Sequence, residues 1–274
     1  GGVYVWGFSP VLPQTGERED RNRVPHAIVA FMNASLLTGD DRYMQVWRRQ
    51  NEVINQQART IDGKLHTPRM RGEQGWYSYA PGPYRSNAFE IWYVSMRASD
   101  RELAGDHPWI AFLEGRNAAY PLEAQRQALT RVRERIAAMH ADTSTPETRL
   151  ADNAINFNPA SVTALIQLTQ GGLHLARPPW SSTSPHQGGA PLHCRLRYFD
   201  RERRRAGLPS DVAALVDELG VDRTSVTLVN LNPVSSRKLT VQGGAYAEHR
   251  IESAILDGRR VAIDDSAFDL ELRP

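Results

Sequence analysis

The sequence predicts an α+β chain in two parts, paired helices over residues 1–176 and an antiparallel strand module over 177–274. Three observations predict it. Apolar residues recur at helical spacing in several windows before residue 172. The stretch 177–191, opening Arg177-Pro178-Pro179-Trp180-Ser181-Ser182, has the composition of a linker. Short alternating segments come after it, set apart by turn residues, Asp257-Gly258 the clearest of them.

Pro25 suits a first helical turn, where its missing N–H costs nothing. Ile28, Phe31, Met32, Ser35 and Leu36 then make one stripe. Gly39 closes this helix as a left-handed cap. Asp40 or Asp41 caps the next helix, whose stripe is Tyr43, Val46, Trp47, Gln50, Val53 and Ile54. The connection is short, so the two helices are antiparallel neighbours. A loop rich in Gly, Pro and Tyr is read over 72–83. Further helices are read at 86–96, 106–113, 123–140 and 160–168, the last stopped by Gly171-Gly172. The helix at 123–140 has Leu129, Val132, Ile136 and Met139 as its apolar stripe and arginines on its outward face. Strands are read at 192–199, 225–231, 238–242, 246–256, 259–263 and 267–272, with 211–219 as a short helix. Short antiparallel strands joined by turns argue for a β-sandwich-like module.

Composition narrows the function classes. The 33 basic and 31 acidic residues leave a formal charge of +2, no electrostatic case for nucleic acid. Mean hydropathy is −0.50, and no apolar run reaches the ~20 residues of a membrane helix. Cys194 is the single cysteine, so an intrachain disulfide and a cysteine-based metal site are both excluded. Alternation makes it a buried strand residue, with His193 on the opposite face. Metal-ligand histidine spacing, a Walker loop and a nucleophile elbow are absent from the sequence, so no metal or cofactor is expected. The chain opens on Gly1 and stops at Pro274 directly after a strand pattern. It reads as a fragment of a longer protein, truncated at both ends, and its compartment stays open.

Thr38-Gly39-Asp40-Asp41-Arg42-Tyr43 resembles the inter-helix turn of α/α-toroid proteins, the six-hairpin glycosidase-like superfamily. The stretches 7–10, 25–43, 156–172, 191–215 and 228–246 are also similar to an uncharacterised bacterial family in which helical hairpins precede a β-sandwich. A closed ring of twelve helices needs roughly 200–300 residues. Only two to three hairpins fit before Gly172, so the resemblance implies an incomplete toroid.

The resemblance also implies that loops at the N-terminal ends of the inner helices line a cleft. The matching loop holds Glu17, Asp20, Arg21, Asn22, Arg23 and His26. Glu17 and Asp20 suit the acid and base of glycoside hydrolysis, and His26 in a first helical turn suits a general base. Arg21, Asn22 and Arg23 suit a uronate or phosphate. The plainer alternative is a polar loop capping a helix. Trp76, Tyr77, Tyr79 and Tyr84 suit stacking on sugar rings, or else plug the end of a helix barrel. Glu90, among Phe89, Ile91 and Trp92, is a candidate proton donor or one half of a structural ion pair. The expected function is a carbohydrate-active protein, a glycoside hydrolase or polysaccharide lyase acting on a poly- or oligosaccharide. The alternatives are a non-catalytic glycan- or protein-binding scaffold, and a terpene-type lyase or isomerase with Phe31, Met32, Trp92 and Tyr93 around an apolar pocket.

Overall fold

The structure, a computed structural model, describes residues 16, 28–72, 75–85, 88–145, 162–173 and 193–274. The chain divides into two compact units, Gly1–His107 and Pro108–Pro274. In the first, α1 (Ile28–Thr38) and α2 (Arg42–Asn55) form the expected helical hairpin. Gly39 (φ +67°) stops α1, its N–H bonded to Ser35 O at 2.8 Å. Asp40 then accepts the Arg42 N–H on Oδ1 at 2.9 Å, so it is Asp40 that satisfies an open donor at the start of α2.

The chain next turns into a sheet. Strands β1 (Arg59–Ile61), β2 (Lys64–Gly72) and β3 (Gly75–Pro81) pair antiparallel in that order. Most of the loop expected over 72–83 is therefore strand. Asp62-Gly63 joins β1 to β2 with φ of 50° and 73°, the two left-handed residues of a type I′ hairpin turn. Trp76, Tyr77 and Tyr79 are strand formers, and their segment pairs with β2. Two short helices complete the unit, α3 (Ala88–Ser95) and α4 (Ala98–Ala104).

This order overturns the toroid. The described residues hold seven helices and several small antiparallel sheets, and no α/α toroid is among them. A ring needs hairpin after hairpin of helices. Here a three-stranded sheet succeeds the first hairpin, and α3 and α4 are only 8 and 7 residues long.

The second unit opens with α5 (Pro108–Leu113), whose Trp109 and Ile110 are fully buried. Then come α6 (Tyr120–Ala141) and α7 (Thr163–Gln170). On α6 the buried residue is Ala124, which packs with Ala164 and Leu168 of α7. Leu129, Ile136 and Met139, expected to be its core stripe, are exposed. The remainder is β-rich: β4 (Leu196–Asp200), β5 (Arg205–Ala206), β6 (Val212–Leu219), β7 (Thr224–Asn230), β8 (Arg237–Gly243), β9 (Ile251–Leu256), β10 (Arg259–Asp265) and β11 (Ala267–Leu272). They form one four-stranded antiparallel sheet, β11-β8-β4-β5, and two hairpins, β6-β7 and β9-β10, in place of two complete facing sheets. Tyr198, Leu239 and Val241 are the centre of the four-stranded sheet, and Ala214 of β6 and Leu228 of β7 pack against them. Asp257-Gly258 makes the expected turn between β9 and β10, with φ of 49° and 75°. Residues 211–219, expected as a helix, are β6 and the residue before it. Val212 and Val216 are buried while the backbone pairs with β7, and that pairing overrides weak local helix preference.

The end of α7 is bonded on all sides. Gly172 N–H reaches Ile166 O at 3.1 Å, the Tyr198 hydroxyl donates to Thr169 O at 2.7 Å, and Arg195 N–H donates to Gln170 O at 3.0 Å. The open carbonyls of a helix terminus are thereby satisfied by β4 and the residues before it. Such close approach needs glycine. A Cβ on Gly172 would lie 2.8 Å from both Cys194 Cβ and His193 O. Gly172→Ala is expected to lower stability by about 1–3 kcal/mol, read as a fall in urea midpoint at unchanged slope. An unchanged midpoint would mean that this crossing has room for a methyl group.

No helix among the described residues is long and apolar enough to cross a membrane.

Candidate apolar groove on the second helix

The two sides of α2 carry different chemistry. Its inner side buries Met44, Asn51 and Ile54. Arg48 is on that side too, with 13% of its side chain exposed, facing the buried Asp100 of α4. Arg48 Nε donates to Asp100 Oδ1 at 2.8 Å and Nη2 to Oδ2 at 2.6 Å, a two-point contact. The Ser95 hydroxyl adds a third bond to Oδ2 at 2.5 Å. Asp41 Oδ1 accepts from Arg48 at 3.4 Å and from Arg97 at 3.1 Å, which extends the network to the start of α2. Burial pushes the Asp100 carboxyl up. The bonds from Arg48 and Ser95 and the charges of Arg48 and Arg97 outweigh it, and hold it below the ordinary carboxylate range.

The outer side of α2 presents Gln45, Val46, Arg49, Gln50 and Val53, which with Ile54 and Trp76 line an open groove of about 480 Å³. Its lining surface is almost wholly apolar. The expected stripe of α2 is thus divided: Ile54 is core, while Val46, Gln50 and Val53 line the groove. The side chain of Trp47 lies outside the described residues.

Trp76 comes from β3, where it pairs with Arg71 of β2, and packs on Ile54 and the buried Tyr84. Asn55, at the end of α2, brackets the Tyr84 backbone. Its Nδ2 donates to Tyr84 O at 2.9 Å and its Oδ1 accepts Tyr84 N–H at 2.8 Å. Thr67 Oγ1 holds Gly82 O at 2.9 Å. The groove floor is therefore fixed before anything binds.

The other sequence-derived candidates fall elsewhere. Glu17, Asp20, Arg21, Asn22, Arg23 and His26 lie outside the described residues. Tyr84 is core, with the Arg69 guanidinium 5.5 Å from its ring. Tyr79 sits under Arg59 at 4.6 Å, and Tyr77, across from Met70, is exposed. Glu90 is half-buried in the first turn of α3 and does not line the groove. Met32, Trp92 and Tyr93 are packed core residues. Of the four aromatics proposed for sugar stacking, only Trp76 reaches the groove. Sequence reasoning passed over Arg48, Asp100 and Asn55, because their partners are 52 and 29 residues away. A charged residue on the inward side of α2 was the available signal.

The second unit gathers His193, Cys194, Glu248 and His249. Burial pushes the Cys194 thiol up to about 12, helped by the Glu248 charge and opposed by Arg197. Burial pulls both imidazoles down, against Glu248. Glu248 itself accepts the Ala245 and Tyr246 N–H groups at 3.2 and 2.7 Å. A thiol held neutral is a poor nucleophile. Among the described residues no three His, Cys, Asp or Glu side chains are arranged to hold a metal.

These features define a mixed α and β protein of two compact units with an open apolar groove on the first. A family profile described as a domain of unknown function, DUF8034, matches residues 102–166, a stretch that contains α5 and α6 whole. No curated protein and no solved structure matches the chain. The resemblance to six-hairpin glycosidase-like proteins thus finds no support beyond the single hairpin turn.

Asp100→Asn is expected to cost about 3–5 kcal/mol, because it strips the buried Arg48 of its counter-charge. The double change Arg48→Met/Asp100→Leu is expected to cost less than that. The unmodified chain is expected to lose stability as pH falls below about 4. Asp100 titrates at lower pH in the folded state than in the unfolded one, so its contribution is complete above the unfolded value and disappears through the folded value. Urea midpoints at pH 7 and pH 3 check all three outcomes.

Proposed function

We propose that the chain is a non-catalytic binding scaffold that takes an apolar peptide segment into the groove between α2 and Trp76. The composition of the groove carries this reading. Val46, Val53, Ile54 and Trp76 offer apolar surface, and the lining also takes in the exposed Gln45 and Arg49 and the half-buried Gln50. An apolar centre with a polar rim is the usual anatomy of a protein-binding patch. The outer residues recur over about two turns of α2, room for a few anchoring side chains. Sugars need many hydrogen-bond partners, and this lining has three polar side chains, those of Gln45, Arg49 and Gln50, around a mainly apolar surface. A glycan is the second reading, supported by one observation: the half-buried Trp76 is a ring on which a pyranose can stack.

Peptide selection on the full chain, run beside a neutral and uronate glycan panel, tests both readings. Selected peptides are expected to carry Leu, Ile or Phe anchors and to lose about 2 kcal/mol of affinity on Trp76→Ala, the size of a hot-spot truncation. Exposed Val46→Asp is expected to weaken them as well. Peptides that bind Trp76→Ala unchanged would remove the groove from the function. Glycan binding that depends on Trp76 would favour the second reading.

A further inference from the structure

The exposed side of α6 carries an apolar pattern that the described residues of its unit leave uncovered. Leu122, Leu129 and Ile136 are seven residues apart and 56%, 54% and 40% exposed. Val132 and Met139, also seven apart, lie beside them. Apolar residues in two heptad positions form the seam of a coiled coil. A helix serving only its own core would turn this stripe inward. Here the inward contact is made by Ala124 and Ala128, small residues that bring α6 close to α7. From Ile136 to Ala141 every residue is exposed, so the last turns of α6 stand clear with their apolar side open.

The charges beside the seam select its occupant. Arg126, Arg133 and His140 each lie four residues after a seam residue, which places them along one edge. Arg135 lies on the other flank. In a paired coil these positions face the flanking positions of the partner helix. A second antiparallel copy would set the Arg126, Arg133 and His140 edge against itself, and a parallel copy would set Arg126, Arg133 and His140 against Pro121, Ala128 and Arg135, so in neither arrangement does an acidic residue meet the arginines. We infer that α6 docks an amphipathic helix of another protein whose flanking positions are acidic. The inference does not depend on the α2 groove, which belongs to the other unit.

The test uses the full chain and a synthetic peptide of three heptads, matched to the 22 residues of α6. It has Leu at both seam positions and Glu on both flanks, and its control has Lys in place of Glu. Fluorescence anisotropy is expected to show binding of the Glu peptide alone. Arg126→Glu/Arg133→Glu is expected to weaken it about tenfold, and added salt to weaken it further. Arg131→Glu, on the far side of α6, is expected to change it little. Leu129→Asp is expected to abolish binding with circular dichroism unchanged, since the side chain is exposed. Equal binding of both peptides, no binding of either, or a dimer of the chain that Leu129→Asp dissolves would overturn the inference.

Discussion

The Arg48–Asp100 ion pair is the constraint on which the first unit depends. Two buried charges are tolerable only when each is fully bonded, and here Ser95, Asp41 and Arg97 complete the arrangement. The pair joins α2 to α4 and fixes which side of α2 turns inward. The opposite side then has no choice of direction. Val46 and Val53 face outward because Arg48 and Asn51 face in, and the groove is the geometric remainder of a buried salt bridge.

Asn55 does the corresponding work at the other end of α2. By bonding both the N–H and the C=O of Tyr84, it attaches the strand exit to the helix and keeps Trp76 against Ile54. Helix rotation and aromatic placement are thus set by polar side chains, while the apolar atoms fill the space these define. The second unit uses the same division of labour. Tyr198 and the backbone of Arg195 bond the end of α7, and the apolar residues of β4, β6, β7 and β8 close around them.

Local signals were legible in the sequence, and distant ones were not. The α1–α2 hairpin, its Gly39 stop, the long helix α6, the strands β8 and β11 and the β9–β10 hairpin all arise from periodicity and turn residues within a few positions, while the pairing of β8 with β11 does not. The first sheet was missed although Asp62-Gly63 is the same dipeptide as Asp257-Gly258. Gly75, Pro81, Gly82 and Pro83 drew attention to a loop and away from the strand formers among them. β6 was missed because Ala213, Ala214 and Leu215 suit a helix, and only pairing with β7 decides otherwise. The toroid failed for a related reason: one inter-helix turn specifies a single hairpin and carries no information about the elements after it. Of the candidate site, the sequence singles out Trp76 as an aromatic suited to sugar stacking or to plugging a helix barrel, and the structure places it half-buried in β3, lining the groove. Its partners on α2 were read as core, because periodicity finds an apolar stripe without telling which side of the helix the fold covers.

The β9–β10 hairpin is a two-stranded sheet, with an outer edge on each strand. Such an edge is a template on which another chain can add, the first step towards ordered aggregates. Arg259 and Arg260 at the start of β10, and Asp264 and Asp265 at its end, are exposed along that edge. Asp264 also takes a left-handed backbone (φ 54°) where the register with β9 breaks. Charge at both ends and a kink near one of them make the edge a poor surface for growth, so the two-stranded hairpin is ill suited to seed it.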